Sequence, residues 1–256
     1  MLLPRIIPCL LIKDGGLVKT INFKDPTYVG DPINAVKIFN EKEVDELVVL
    51  DIDATIESRE PNYKLIEQLA AECRMPLCYG GGISSVKQIQ RIISLGVEKV
   101  SICSSSVINQ DLLIKGAEVV GSQSIVGAID IVKKNNNYFV SRSCGTVNTN
   151  IDPEQLILKY LNSSVGEIFL NFVNNDGEMN GYDYEYIDKI FSKINVPLTV
   201  IGGAGKLDDF EKLFDKFNLI GAAAGSYFVF QGIYKAVLIS YISKKDKLRL
   251  FKKSYV

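Results

Sequence analysis

Tyr79-Gly80-Gly81-Gly82 and Ile201-Gly202-Gly203-Ala204-Gly205 decide the fold. Each closes a short apolar run, and the two lie about 120 residues apart, near half the 256-residue chain. Leu47-Val48-Val49-Leu50-Asp51 and Ile168-Phe169-Leu170-Asn171 repeat at nearly the same distance. Outward from these pairs, apolar runs recur at 6–12, 46–52, 76–79, 99–103, 124–130, 167–172, 197–201 and 219–224. Near-continuous hydrophobicity of this kind suits strands covered on both faces. Helical patterns lie between them, at 32–40, 62–73, 85–95 and 208–217, the first opened by Asp31 as N-cap and Pro32 at the first turn. Eight alternating units fit a parallel barrel or a doubly wound sheet, and the internal repeat favours the barrel. The expectation is an α/β fold: one (β/α)8 TIM barrel built from two half-barrel repeats, a single domain over residues 1–256.

Composition narrows the function classes. Hydrophobic residues make up 47% and charged residues 23%, an ordinary globular balance, and the net charge of −1 gives no field for nucleic acid or an anionic membrane. The lysines between 244 and 253 are interrupted by Leu and Phe and read as a solvated last helix turn and tail. Residues 1–12 are apolar, but Pro4, Arg5 and Pro8 interrupt them and Lys13-Asp14 follows, which suits a buried strand better than a leader; no apolar run is long enough to span a membrane. Five cysteines without a C-x-x-C pair suit free thiols in a reducing cytoplasm. There is no histidine, so the commonest general base and metal ligand are missing. No metal and no cofactor is expected.

In such barrels the site lies where strands end. The third strand ends in Gly80-Gly81-Gly82-Ile83 and the fourth in Cys103-Ser104-Ser105-Ser106; the seventh ends in Gly202-Gly203-Ala204-Gly205 and the eighth in Gly225-Ser226. Glycine and serine there bring backbone N–H and hydroxyl donors close to an anion. The pairing predicts one phosphate site at Gly203 and Ser226, and a second across the mouth at Gly82 and Ser104. A substrate carrying a phosphate at each end would fill both.

Longer stretches carry a resemblance. Arg5-Ile6-Ile7-Pro8-Cys9-Leu10, Lys13-Asp14-Gly15, Val18-Lys19, Gly30-Asp31-Pro32, Lys99-Val100-Ser101-Ile102, Asp176-Gly177 and Gly181-Tyr182-Asp183 resemble the HisF family, the cyclase subunit of imidazole glycerol phosphate synthase. The resemblance implies a HisH-like glutaminase docked under the barrel, and ammonia joined to a ribulosyl bisphosphate compound. It implies an ammonia gate of Arg5, Glu46, Lys99 and Glu167 at the strand starts, Asp130 as acid/base residue, Lys19 on a mobile first loop neutralising substrate charge, and Asp176 and Gly177 at the substrate. The family pattern also has a carboxylate at the end of strand one, where this chain has Leu11. A lone carboxylate with no histidine near cannot readily give and take protons. Asp53, replacing a threonine, is the candidate stand-in, with a solvated loop aspartate as the alternative reading; Cys103, Asn171 and Ile201 change other positions of the mouth. An intact gate with an altered chemical site resembles the divergent WbuZ-type glycosyl amidation subunits. The leading expectation is therefore an ammonia-handling subunit in sugar amidation for surface-polysaccharide biosynthesis, on a phosphorylated small molecule or nucleotide sugar. The alternatives are the imidazole glycerol phosphate synthase cyclase subunit of histidine biosynthesis, or a non-catalytic ammonia-channelling scaffold.

Overall fold

The eight apolar runs form eight parallel strands in a computed structural model that describes residues 4–251. They are β1 (Arg5–Lys13), β2 (Leu47–Asp51), β3 (Leu77–Gly80), β4 (Lys99–Ile102), β5 (Ile125–Lys134), β6 (Glu167–Phe172), β7 (Leu198–Ile201) and β8 (Gly221–Ala224). Each pairs with the next; β8 pairs with β1 through Arg5↔Gly221, and the circle is closed. Eight helices follow in turn: α1 (Pro32–Glu41), α2 (Tyr63–Glu72), α3 (Val86–Ser94), α4 (Asp111–Val120), α5 (Pro153–Leu161), α6 (Tyr184–Phe191), α7 (Leu207–Phe217) and α8 (Lys244–Phe251).

Local chemistry sets the boundaries. Asp31 caps α1 by accepting from the Asn34 N–H at 2.8 Å, with Pro32 inside the first turn. Ser85 and Gln88 cap α3 reciprocally. Strands covered on both sides give two apolar layers. Phe39, Ile66, Leu113, Ile157 and Phe210 fill the space between strands and helices, while Ile7, Val48, Cys78, Val126, Phe169 and Ala223 fill the lumen.

The two-half repeat extends into elements that periodicity did not indicate. β1 turns back through Asp14-Gly15 into a strand at Gly16–Ile21, paired with Lys24–Gly30; β5 turns back through Asn135-Asn136 into a strand at Asn137–Arg142. All four turn residues have positive φ, the conformation that tight hairpins need. Short helices follow β4 and β8 at Ser104–Ile108 and Ser226–Val229, and their preceding residues, Cys103 and Gly225, share nearly the same backbone angles. Gly81 and Gly203 both have φ +114°, which favours glycine.

The lysine-rich end is not simply solvated. Lys247 pairs with Asp45, and Lys244 with Glu43 at 2.6 Å; Lys252 and Lys253 lie outside the described residues.

Candidate functional site at the two ends of the barrel

The bottom is closed by a ring of charge. Arg5, Glu46, Lys99 and Glu167 stand at strand starts, so the closed sheet brings together residues up to 162 positions apart. Arg5 donates to Glu46 and to Glu167 at 2.5 Å each, and Lys99 to the same two carboxylates at 2.8 Å each. Thr199 donates to Glu167 at 2.6 Å. Gly221 leaves the space for this packing, since a Cβ there would run into Thr199 and lie 3.2 Å from the Arg5 guanidinium. Both carboxylates are buried to 3% exposure, so neither cation could be removed without stranding charge. Burial would raise the Glu167 carboxyl, but Arg5 and Lys99 outweigh it and hold it below its ordinary value.

At the top, two clefts meet. The larger encloses about 880 Å³ including its mouth and is lined by Gly82, Ser104, Asp130 and Asn171 among others. The smaller, about 480 Å³, is lined by Lys19, Asp176, Gly177, Gly203 and Ser226. The sequence-predicted anion positions thus fall into two groups on two sides of the mouth. Leu11, Phe23, Leu50, Asn171 and Ile201 line both clefts and form the neck between them. Phe23 reaches the neck because the hairpin after β1 folds over the mouth. Asp176 holds that hairpin by accepting from Thr20 Oγ1 at 2.6 Å and the Phe23 N–H at 3.1 Å.

Asp130 stands in the larger cleft beside Asn171, its register partner on β6, whose amide donates to it at 3.2 Å. Burial raises its carboxyl to about 6, against the hydrogen bonds of Cys103 and Asn171. A carboxyl near 6 can hold or release a proton close to neutral pH. Burial and the neighbouring Asp130 push the Cys103 thiol well up, so Cys103 is a protonated hydrogen-bonding partner and not a thiolate nucleophile.

Two expectations need correction. Lys19 is not on a mobile loop: it lies on the Gly16–Ile21 strand, is buried, and donates to the Cys9 carbonyl at 2.6 Å. Its ammonium abuts Gly225, where a Cβ would come within 2.7 Å, beside Ser226 in the smaller cleft. Burial lowers its pKa, opposed by Cys9 and Asp176. Asp53 does not reach the place that Leu11 occupies. It is buried against Lys13, 3.0 Å away, and lines neither cleft, whereas Leu11 lines both. A strand-end reading could not show this, because β2 ends at Asp51 and residues 52–58 form turns, where strand alternation no longer fixes which way a side chain points.

Among the described residues, Asp14, Asp53 and Glu57 bring carboxylate oxygens within 4.8 Å of one another. Lys13 already holds Asp53, and Arg59 holds Glu57, so resident cations balance much of that charge. All five cysteines are free thiols. No helix among the described residues is long and apolar enough to cross a membrane.

Strand closure, two hairpins in matching positions and paired Gly/Ser turns define a (β/α)8 barrel of the half-barrel-repeat class, with its two clefts at the strand ends. The chain belongs to the histidine biosynthesis protein family, whose model matches residues 5–235, and within it to the HisF subunits. It is 51% identical to the "Putative imidazole glycerol phosphate synthase subunit HisF" of Leptospira borgpetersenii, over 98% of this chain and all of the relative. A similarly named subunit of Vibrio vulnificus is 52% identical over 96% of each chain. The imidazole glycerol phosphate synthase subunit HisF of Natranaerobius thermophilus is 39% identical over 96% of this chain and 98% of its own.

Proposed function

We propose that this barrel is the ammonia-accepting subunit of a glutamine-dependent synthase in the cytoplasm, paired with a HisH-type glutaminase beneath its floor. Its ligand carries an anionic group at each end. The observation that carries this reading is the charged ring at one end of an uncharged, apolar lumen layer with Asp130 at the other. Neutral ammonia crosses such a lumen at far lower cost than ammonium, because burying an unpaired charge is expensive. The ring would admit it, Gly82 with Ser104 and Gly203 with Ser226 would hold the two anions, and Asp130 would move the proton.

Two substrates remain in play, and each has its own support. The relatives' names favour imidazole glycerol phosphate synthesis, the reading with the wider support. There Lys19, buried with a lowered pKa beside Gly225 and Ser226, would share the acid–base work with Asp130. Sugar amidation is favoured by Leu11, an aliphatic side chain in both clefts with Asp53 turned away.

The test is turnover of the ribulosyl bisphosphate compound by the purified chain in saturating ammonium salt. Imidazole glycerol phosphate formation that falls at least 100-fold in Asp130→Asn and in Lys19→Met would support the first substrate, roughly the weight of one acid–base group. No turnover, with bisphosphate binding intact, would reject it and favour amidation.

A further inference from the structure

The two clefts share a neck, and its chemistry is divided. Any ligand that reaches both anion positions must cross Leu11, Phe23, Leu50, Asn171 and Ile201. Leu11 and Leu50 are register partners on β1 and β2; Ile201 lies on β7, two strands from β1, with only the alanine-rich β8 between. These four neighbouring strands give the neck an aliphatic side. Of the five residues that line both clefts, Asn171 alone carries a hydrogen-bonding side chain, and Cys103 and Asp130 stand with it on the opposite arc, β4 to β6, whereas Thr20, Asp51 and Thr55 line the larger cleft only. Asp51, the other carboxylate in the larger cleft, is committed to the N–H groups of Asp53 and Ala54.

We infer that the ligand's middle segment is two-sided, with hydrogen-bonding atoms on the edge facing Asp130 and Asn171 and bare hydrocarbon on the edge facing Leu11, Leu50 and Ile201. A chain hydroxylated on both edges would strand hydroxyls against aliphatic side chains, where each lost hydrogen bond weakens binding roughly tenfold. This rests on the proposal of two anion positions, and deepens it by naming the class of linker.

The experiment compares pentane-1,5-diol bisphosphate with ribitol 1,5-bisphosphate, of equal span, by calorimetry, with inorganic phosphate as the probe of the anion positions alone. The intact chain is expected to bind the pentanediol compound at least about tenfold more tightly. Leu11→Ser should bring the ratio toward one, chiefly by tightening ribitol bisphosphate. Ile201→Ser, on the other side of β8, should do the same if Leu11→Ser folds poorly. Equal or tighter binding of ribitol bisphosphate by the intact chain overturns the inference, as does a ratio that neither substitution moves. Phosphate binding without binding of either bisphosphate overturns the two-sided neck alone. Failure of phosphate to bind overturns the two anion positions, and the inference with them.

Discussion

Asp130 and Glu167 are both buried carboxylates, and their surroundings drive them in opposite directions. Asp130 is raised to about 6 by burial, so the folded protein holds its proton more tightly than the unfolded chain does. Stability is therefore lost as pH rises from the unfolded carboxyl's range, near 4, through 6, and the lost part reaches at most about 3 kcal/mol. Asp130→Asn is expected to raise the Tm at pH 7.5 and leave it unchanged at pH 4; a lower Tm at pH 7.5 would contradict this. Glu167 is held low by Arg5 and Lys99 against its burial, so its contribution is present above the ordinary carboxyl range and lost as pH falls below it. Glu167→Gln leaves two cations facing Glu46 alone and is expected to cost about 3–5 kcal/mol at neutral pH in urea unfolding, and less in acid. An unchanged midpoint at neutral pH would mean that the ring is not a tightly coupled unit.

The hairpin after β1 is the element on which the mouth depends, and Asp176 is its anchor. It accepts from Thr20 and Phe23 by its side chain and from the Asn22 N–H by its carbonyl at 2.9 Å. Asp176→Ala should free the hairpin tip, with faster amide exchange at residues 20–24 and weaker bisphosphate binding, while the Tm moves little; slow exchange retained at the tip would show that other contacts hold it. The eight strands were legible in the sequence because burial on both faces leaves continuous apolar runs. The ring residues come from the family resemblance, and their place at the starts of such runs puts them on the bottom face. The hairpins were not: Gly16–Ile21 and Asn137–Arg142 mix buried and exposed residues in short stretches, without a steady period. Only the turns betray them, Asp14-Gly15 and Asn135-Asn136, residue types that tolerate positive φ. Without the first hairpin Lys19 reads as a loop residue, and nothing in the sequence signals that Asp53 pairs with Lys13, which the same turn fixes.

On the scale of the whole molecule, the two halves share a plan and differ in chemistry. Glu46 and Glu167 occupy matching places in the two halves, whereas Arg5 and Lys99 do not, so the ring is an asymmetric product of a symmetric frame. If a glutaminase docks on this face, the rim charge beside it matters. Glu98 is exposed there, and its carboxylate accepts the Leu77 N–H at 2.7 Å. Glu98→Lys is expected to lower co-purification with a HisH-type glutaminase at least tenfold, an effect of the size seen when interface charges are reversed. Glu98→Gln, which keeps an acceptor for Leu77, should lower it far less. Equal recovery of all three proteins would place the docking face elsewhere. Closure of the barrel has a consequence for how the chain is made. β1 lies between β2 and β8; the Tyr241 hydroxyl donates to the Ile6 carbonyl at 2.7 Å, and Lys247 reaches Asp45. A ribosome adds about 5–20 residues each second, so the strand made among the earliest waits roughly 10–50 s for the partners that seal its edge. Through that interval the growing chain carries an open strand edge, the kind that recruits other chains, and it is then that chaperones have most to protect.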